Sequence, residues 1–534
     1  HRVDRRQRQM CIRDSLCIIQ VLNAQVDSTT LDHNNVSVHI SDAGTYFYDF
    51  ANQSKGYEVP KGSGRHAIHT TQFWFAGKDA SNEIRFVQGG MPNQGSDVFN
   101  GPISDPGTYN TTEYQEAWGN SVWSICQSDI DNYVSNFECY QDPDCMDDEL
   151  LPISSEALST IFNWPSNGDF SSGQSHFLAP YFDYNLDGLY EANAGDHPII
   201  KGCCAVYMIQ NDAAETHSYT YSNSMGIELH IMFYQYRTWD YLNDVMFVDI
   251  TAINRSNTDY TEFMHSIVVD AEIGNETDDY FGSDSLNNTM YFYNADNNDE
   301  DGTANLGYGV DPPAIGVVGL NENMTSCVPF INNGINVSGK WNLMKGLQEN
   351  GDPWLNPSSN ETKYVFSGNP NTASEWSALS TGAPAGEARG ILSIDYGDFN
   401  SGDTLKQSYA ITYAREGNNL DNIQSIIDMS SVVKSFYDNE SDIPCSEGTW
   451  NLEELNKLDI TIFPNPSSGI VTLKNHGKAP ISLIIYSTQG KIVERHTSTN
   501  LSDIELDLSD QRSGVYFLHI TSKKETSVKK IIIN

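Results

Sequence analysis

From residue 26 to about 445 the chain keeps returning to one pattern: a short apolar run, alternating or continuous, followed by a loop of Gly, Asn and Asp. VSVHISDAGTYFYDF (36–50) and HTTQFWFAGKD (69–79) are early examples, each with a Gly turn. IELHIMFYQYR (227–237), DVMFVDITAINR (244–255) and EFMHSIVVDAEIG (262–274) are longer and rich in β-branched and aromatic residues. A period near two suits a strand, whose side chains alternate between faces, and not an amphipathic helix. The pattern therefore predicts a mainly β chain, with the three longer runs in the central sheet of a β-sandwich. Helical spacing is confined to two places. Ser154–Phe162 has a Ser cap and Glu156 in its first turn, and Leu420–Phe436 repeats Leu420, Ile423, Ile427 and Val433.

A length of 534 residues exceeds one ordinary domain. A loop break near 193–202 divides the β-rich region into expected units 26–197 and 198–445. A linker over 446–457 follows, then a compositionally different stretch, 458–534. The first fifteen residues, HRVDRRQRQMCIRDS, are basic, lack periodicity and resemble translated sequencing-adaptor sequence, so they are set apart from the fold. Leu16–Gln25 (LCIIQVLNAQ) reads as the tail of a truncated signal peptide with cleavage near Ala24 or Gln25. No segment approaches the roughly 20 apolar residues of a membrane span.

Charge is unevenly placed. Of 30 basic and 71 acidic residues, 1–15 hold 5 and 2, and 457–534 hold 10 and 7. The middle, 16–456, thus has 15 basic against 62 acidic residues, a net charge of −47. Such a surface repels phosphate backbones and anionic lipid, which excludes nucleic acid as an expected partner, and it suits hard divalent cations. Seven cysteines follow the N-terminal two, at 126, 139, 145, 203, 204, 327 and 445. They match no zinc spacing; an oxidising compartment would pair the close ones, and an odd number leaves a thiol over.

From Leu458 short β runs replace acidic loops. DITIFPNPSSG leads into a Pro-Asn-Pro turn closed by Gly469, and further runs follow at 470–474, 481–486, 491–494, 503–508, 515–522 and 527–533. Six or seven short strands in so short a stretch predict a small Ig-like β-sandwich. FPNPSSG (463–469), IIYSTQGKIV (484–493), LSDQRSGVYFLHI (508–520) and VKKIIIN (528–534) resemble, in order, the motifs of the type A sorting domain of type IX secretion. Pro464, Asn465, Pro466, Gly469, Gly490, Gly514, Tyr516 and Lys530 carry the resemblance. Ser487 departs from it, standing where the family usually has an acidic or amide residue. The resemblance implies export through the outer membrane by Bacteroidetes-type machinery. It also implies removal of the domain by a surface sortase-like peptidase, with anchoring to lipopolysaccharide as one outcome. GYEVPKGSGRH (56–66), NWPSNGD (163–169), the stretch 176–202, VDAEIGNETDDYFGSD (269–284) and YGVDPPAIG (308–316) are similar to long secreted proteins bearing the same domain. That second resemblance supplies no catalytic residue.

The strongest chemical signal is Asp183-Tyr-Asn185-Leu-Asp187-Gly188-Leu-Tyr-Glu191. Oxygen ligands at positions 1, 3 and 5, Gly at 6 and Glu at 9 match the opening of an EF-hand-type calcium loop. Leu189 would lend its carbonyl. Position 12 is Ala194, so the loop is closer to dockerin or thrombospondin type 3 repeats, with Asp196 as a late ligand. An Asx-rich turn is the bland alternative. A second acidic cluster comprises Asp270, Glu272, Asp278, Asp279 and Asp284, with Asp296, Asn298, Asp299 and Asp301 beyond. Asp270 and Glu272 share a face if the segment is a strand, and paired carboxylates serve glycoside hydrolysis, calcium or plain solvation equally. His66 and His69, three apart in a strand, would face opposite ways. A thiol nucleophile at Cys203 or Cys204 with His217, and sugar stacking by Trp74, Phe75, Trp118, Trp123 or Trp164, are weaker readings than disulfide and core. The sequence thus predicts an exported, calcium-stabilised β-sandwich that binds a glycan or surface protein or serves as a structural component of a surface matrix. Its rival is a secreted glycosidase-like hydrolase using carboxylates in 270–284. No catalytic residue is assigned.

Overall fold

The computed structural model describes residues 26–439 and 460–533, apart from short stretches at 92–93, 120, 147–148, 303–304, 331–333, 476–480, 488–491, 500–502, 510, 513 and 523–524. The adaptor-like start, the signal-peptide tail, the linker and Gly490 lie outside the described residues. The chain is 39% strand and 17% helix, as the alternating runs predict.

Residues 28–414 build two antiparallel sheets of nine strands each. The spine of the first runs Ser28–Leu31, Ser37–Ser41, Tyr57–Glu58, His66–Lys78, Tyr260–Ala271, Ala388–Phe399, Ser326–Pro329. That of the second runs Trp123–Cys126, Cys204–Asn211, Ile227–Gln235, Val245–Asn254, Thr404–Ala414, Ala314–Gly319, Thr289–Asn294, Asp279–Asp284. The sheets pack face to face. Phe73, Phe75, Ile267 and Val269 of the first share one core with Ile231, Phe233, Val248 and Phe292 of the second. Aromatic rings meet across the seam, Phe73 and Phe233 stacking with centroids 6.4 Å apart.

Three expectations change in the assembly. The boundary at 197–198 does not separate two cores, because His66–Lys78 pairs with Tyr260–Ala271 and Trp123–Cys126 with Cys204–Asn211. Each sheet holds strands from both expected units, and these bury one apolar layer together. The three long runs do not form one central sheet either. Ile227–Gln235 and Val245–Asn254 are neighbours in the second sheet, whereas Tyr260–Ala271 is central to the first. Helices are also more numerous than the periodicity shows. Ser155–Phe162 is capped by Ser154 as expected, and Asn419–Asp438 is capped by Asn418. Thr112–Trp118, Gln127–Gln141 and Val337–Met344 were not legible; Gln127–Gln141 buries only Ile130 and Tyr133, too sparse a stripe to register.

These helices matter because the second sheet is covered on both faces. Cys204–Asn211 is buried at all eight positions. Its outer face carries a second apolar cluster of Tyr207, Ile209, Tyr234 and Phe247 with Trp123 and Trp164, against which Met429 and Phe436 of the long helix pack. Two-sided burial turns alternation into a continuous apolar run. Cys126 and Cys204, directly opposite in register, are joined by a disulfide, as are Cys139 and Cys145. Cys327 is the free, buried thiol among the described residues.

The C-terminal unit is a three-stranded sheet (Ile460–Phe463, Ile470–Asn475, Asp503–Asp507) and a four-stranded one (Ile492–Thr499, Ile481–Ser487, Gly514–Ser522, Glu525–Ile533). Val471 and Leu473 from one share a core with Leu483, Ile485 and Leu518 from the other. This is the small sandwich expected.

Between the large sheets His265 is fully buried, stacked on Phe75 at 4.5 Å with Nδ1 donating to the Trp74 carbonyl at 3.2 Å. Burial pushes its pKa down to about 3. The folded state thus refuses a proton that the unfolded chain accepts below about 6.5, so this group's contribution is complete above that pH and is lost as pH falls. His265→Phe should therefore flatten the acid limb of stability, by about 2–3 kcal/mol between pH 7 and 4.5. Melts of both proteins across that range test it; parallel curves would refute it.

Candidate functional site

The loop 183–196 leaves the body of the protein between the paired segments Tyr181–Phe182 and His197–Pro198. Its acids act first on its own backbone. Asp183 Oδ1 accepts from Leu186 N at 2.6 Å and Oδ2 from Gly188 N at 2.8 Å. Asn185 Oδ1 accepts from Asp187 N at 3.1 Å, its Nδ2 donates to Asp187 Oδ2 at 2.8 Å, and Asp187 Oδ1 accepts from Leu189 N at 2.9 Å. Gly188 takes φ 81° and Leu186 φ 61°, so the sharp turn falls where the spacing demands a glycine. Asp196 is fully buried and closes the loop from inside, accepting from Tyr184 N at 2.8 Å and Glu191 N at 2.7 Å. Asp183, Asn185, Asp187 and Leu189 are therefore wound around one turn, Glu191 is exposed, and Asp196 serves the frame. Outside support comes from His176, whose Nε2 donates to the Gly188 carbonyl at 3.1 Å.

The segment 170–199 that contains this loop exposes several apolar side chains. Phe170, Phe177 and Leu186 are 81%, 63% and 85% exposed, and Phe182, Tyr184, Leu189 and Ile199 are exposed as well. The aromatics the sequence offers for stacking, Trp74, Phe75, Trp118, Trp123 and Trp164, are instead buried in the two cores.

The second acidic cluster divides in two. Asp279 and Asp299 are buried and hold a loop: Asp279 Oδ2 accepts from Ile273 N at 2.9 Å, and Asp299 Oδ1 and Oδ2 from Asn275 N and Tyr308 N at 3.0 and 2.6 Å. Desolvation raises both, Asp299 to about 6. Asp284 accepts from Leu286 and Asn287 in an exposed turn, and Asn298 Nδ2 donates to Glu300 at 2.7 Å. Asp270 and Glu272 behave differently. They lie on a common face, and His69 from the neighbouring strand joins them: its Nδ1 is 3.5 Å from Asp270 Oδ2 and 3.5 Å from Glu272 Oε1. Lys55 Nζ sits 2.7 Å from Glu272 Oε2 and Arg389 Nε 3.0 Å from Asp270 Oδ1, with Arg389 Nη2 also 2.7 Å from Glu387. Burial works to lower the His69 pKa, but the two carboxylates prevail and raise it. His66 is not part of this group. Sequence alternation brings Asp270 to Glu272; nothing in sequence points to Lys55, His69 or Arg389.

Among the described residues, three groups of three His, Cys, Asp or Glu bring ligand atoms within 4.8 Å of one another. Two include disulfide-bonded cysteines, leaving His69–Asp270–Glu272; the carboxylates of the 183–196 loop form no such group. Cys203 and Cys204 are both disulfide-bonded, which removes the thiol nucleophile. His217 is buried, with Nε2 donating to the Asp212 carbonyl at 2.9 Å.

At the C-terminus the Pro464-Asn465-Pro466 bend is locked onto the last strand. Asn465 Nδ2 donates to the Lys530 carbonyl at 2.6 Å and its Oδ1 accepts from Ile532 N at 2.8 Å. Gly469 adopts φ 130° where a Cβ would meet Ser509, and its carbonyl accepts from Leu508 N. Tyr516 is buried with its hydroxyl on the Arg512 carbonyl at 2.7 Å, and Gly514 opens the strand that pairs with Ile533. The motif residues described are thus turn and clamp residues of one terminal β-module. Residues 461–534 match the family described as "Secretion system C-terminal sorting domain". The chain therefore carries a type IX sorting domain and is exported to the cell surface or beyond. No helix among the described residues is long and apolar enough to cross a membrane.

No curated protein matches the chain. Solved structures that share a remote likeness include the following two. One, a polysaccharide lyase, has 8% identity and TM-score 0.17 over 57% of this chain and 34% of its own, so the chain spans about a third of its length. The other, a putative aldose 1-epimerase from Escherichia coli K12, has 9% identity and TM-score 0.23 over 73% of this chain and 100% of its own. Neither likeness bears on what the chain binds.

Asp196 should be the structural anchor of the loop. Asp196→Ala leaves two amides without their acceptor and should cost about 2–4 kcal/mol in urea unfolding, equally with calcium or chelator. A loss seen only in calcium would show that Asp196 is a ligand instead.

Proposed function

We propose that the exported chain is a surface or secreted binding protein whose 162–199 face meets a glycan or another surface protein, with calcium bracing the 183–191 turn. The carrying observation is that Phe170, Phe177, Phe182, Tyr184, Leu186 and Leu189 all stand exposed within one short segment, although Tyr221, Trp239 and Leu286 are exposed elsewhere. An exposed apolar patch costs solubility, and aromatic faces suit sugar rings or protein anchors, so its retention favours recognition. Calcium fits the order of oxygens in the turn: Asp183, Asn185 and Asp187 have lone pairs beyond those given to the backbone, and Glu191 is free to swing in. The type IX machinery is the partner for export. A sortase-like peptidase would remove 458–534, and lipopolysaccharide is the proposed anchor.

A hydrolase is the second reading, favoured by one observation: oxygens of Asp270 and Glu272 lie within 4.8 Å of each other and of His69 Nδ1. A retaining glycosidase separates its carboxyl groups by about 5–5.5 Å. Lys55 and Arg389 already neutralise both acids, which makes an acid–nucleophile pair the weaker assignment.

Melting residues 26–450 with calcium and with excess chelator decides the cation, since a ligand of the folded state alone must raise the melting temperature. Calcium should raise it, and Asp187→Ala should abolish most of that rise while changing little in chelator. No calcium shift would leave the turn without a cation and move the hydrolase reading forward. Deleting 458–534 should leave the remainder folded but retained in the periplasm; efficient export of that truncation would overturn the sorting role.

A further inference from the structure

The His69–Asp270–Glu272 group lies outside the 162–199 face and has the donor chemistry of a different cation. We propose that Nδ1 of His69, Oδ2 of Asp270 and Oε1 of Glu272 form a three-ligand site for a divalent first-row transition metal, of the zinc or manganese class.

Distances argue for one shared ion. Zinc bonds of about 2.0–2.1 Å to nitrogen and oxygen place adjacent ligands of a tetrahedron about 3.3 Å apart. The His69 nitrogen is 3.5 Å from each carboxylate oxygen, and the three atoms all lie within 4.8 Å of one another. As hydrogen bonds these contacts are poor, since a strong N–H···O bond to a carboxylate spans about 2.7–2.9 Å. One nitrogen between two oxygens at equal and overlong distance is better matched to a common centre.

The surroundings fit as outer partners. Metal-ligating carboxylates are themselves usually hydrogen-bonded through the oxygen that does not touch the metal. Here the outer oxygen of Glu272 faces Lys55 at 2.7 Å and that of Asp270 faces Arg389 at 3.0 Å. Arg389 is 5% exposed, yet its Nε has no hydrogen bond of acceptable geometry, and Asp270 Oδ1 is likewise buried without one. His69 and Asp270 keep 27% and 14% side-chain exposure, so an ion has a path in and a coordination position open toward solvent. Imidazole in the set selects against calcium, which prefers oxygen alone, and this separates the site from the 183–191 turn.

The test uses the purified full chain in metal-depleted buffer with calcium saturating. Calorimetric titration with Zn2+ and separately with Mn2+ should show one stoichiometric event for at least one of them. His69→Ala and Asp270→Asn should weaken it at least tenfold, whereas Asp187→Ala should leave it intact. Should either variant fail to fold, anomalous scattering from crystals of the unaltered protein grown with Zn2+ decides: a peak about 2.0–2.2 Å from His69 Nδ1 sustains the site. Absence of binding by either ion, binding that survives His69→Ala in folded protein, or anomalous density only elsewhere would overturn it.

Discussion

The seam between the two large sheets is the constraint from which the rest of residues 28–414 follows. Phe73 and Phe75 on one side and Phe233 and Phe292 on the other belong to a single apolar layer drawn from both sheets. Each sheet joins strands from early and late parts of the chain, so neither part can bury its apolar face without the other. The strand His66–Lys78 waits for Tyr260–Ala271 nearly two hundred residues on, a pairing with a large loop-closure cost. The disulfide Cys126–Cys204 shortens one such search by closing a separation of 78 residues, worth about 4.5 kcal/mol of chain entropy on the simplest model. An exported chain is the kind that can use such a bond.

That long-range pairing explains which features were legible. Strand character shows wherever one residue in two is apolar, and the helix Asn419–Asp438 shows because Leu420, Ile423, Ile427 and Val433 recur at helical spacing, of which Ile423 and Val433 are buried. The C-terminal module was readable in detail because its strands pair nearly in order and its turns are marked by Pro464, Pro466 and Gly469. Sheet membership was not readable. A strand buried on both faces, such as Cys204–Asn211, carries no period that names its neighbours, and the gap near 193–202 is merely the return of a surface loop to the sheet edge.

Sites obey the same division. The 183–191 turn is local, so spacing alone located the oxygens wound around it. The His69 group is assembled from four separate stretches of chain. Sequence alternation could put Asp270 beside Glu272, but the residues that decide their chemistry, Lys55 and Arg389, come from an early strand and a late one. Paired carboxylates looked alike along the sequence; in space Asp279 and Asp299 hold backbone amides, while Asp270 and Glu272 face a histidine and two cations.

The net charge of −47 over 16–456 then takes on a second meaning. Many of these acids are acceptors for loop amides that strands cannot satisfy. Asp97 takes Tyr219 N and Thr220 N, Asp212 takes Met225 N and Ile227 N, and Asp196 takes Tyr184 N and Glu191 N. All three are fully buried, so composition alone overstates the field that a ligand meets. Among the acids that stay exposed, Asp187 and Glu191 lie on a turn beside aromatic side chains, with no Lys or Arg between residues 163 and 200. A cation bound there would neutralise the turn without disturbing the buried frame, because Asp196 holds that frame from the other side. Recognition chemistry and structural chemistry thus draw on the same residue type, separated by burial and not by sequence.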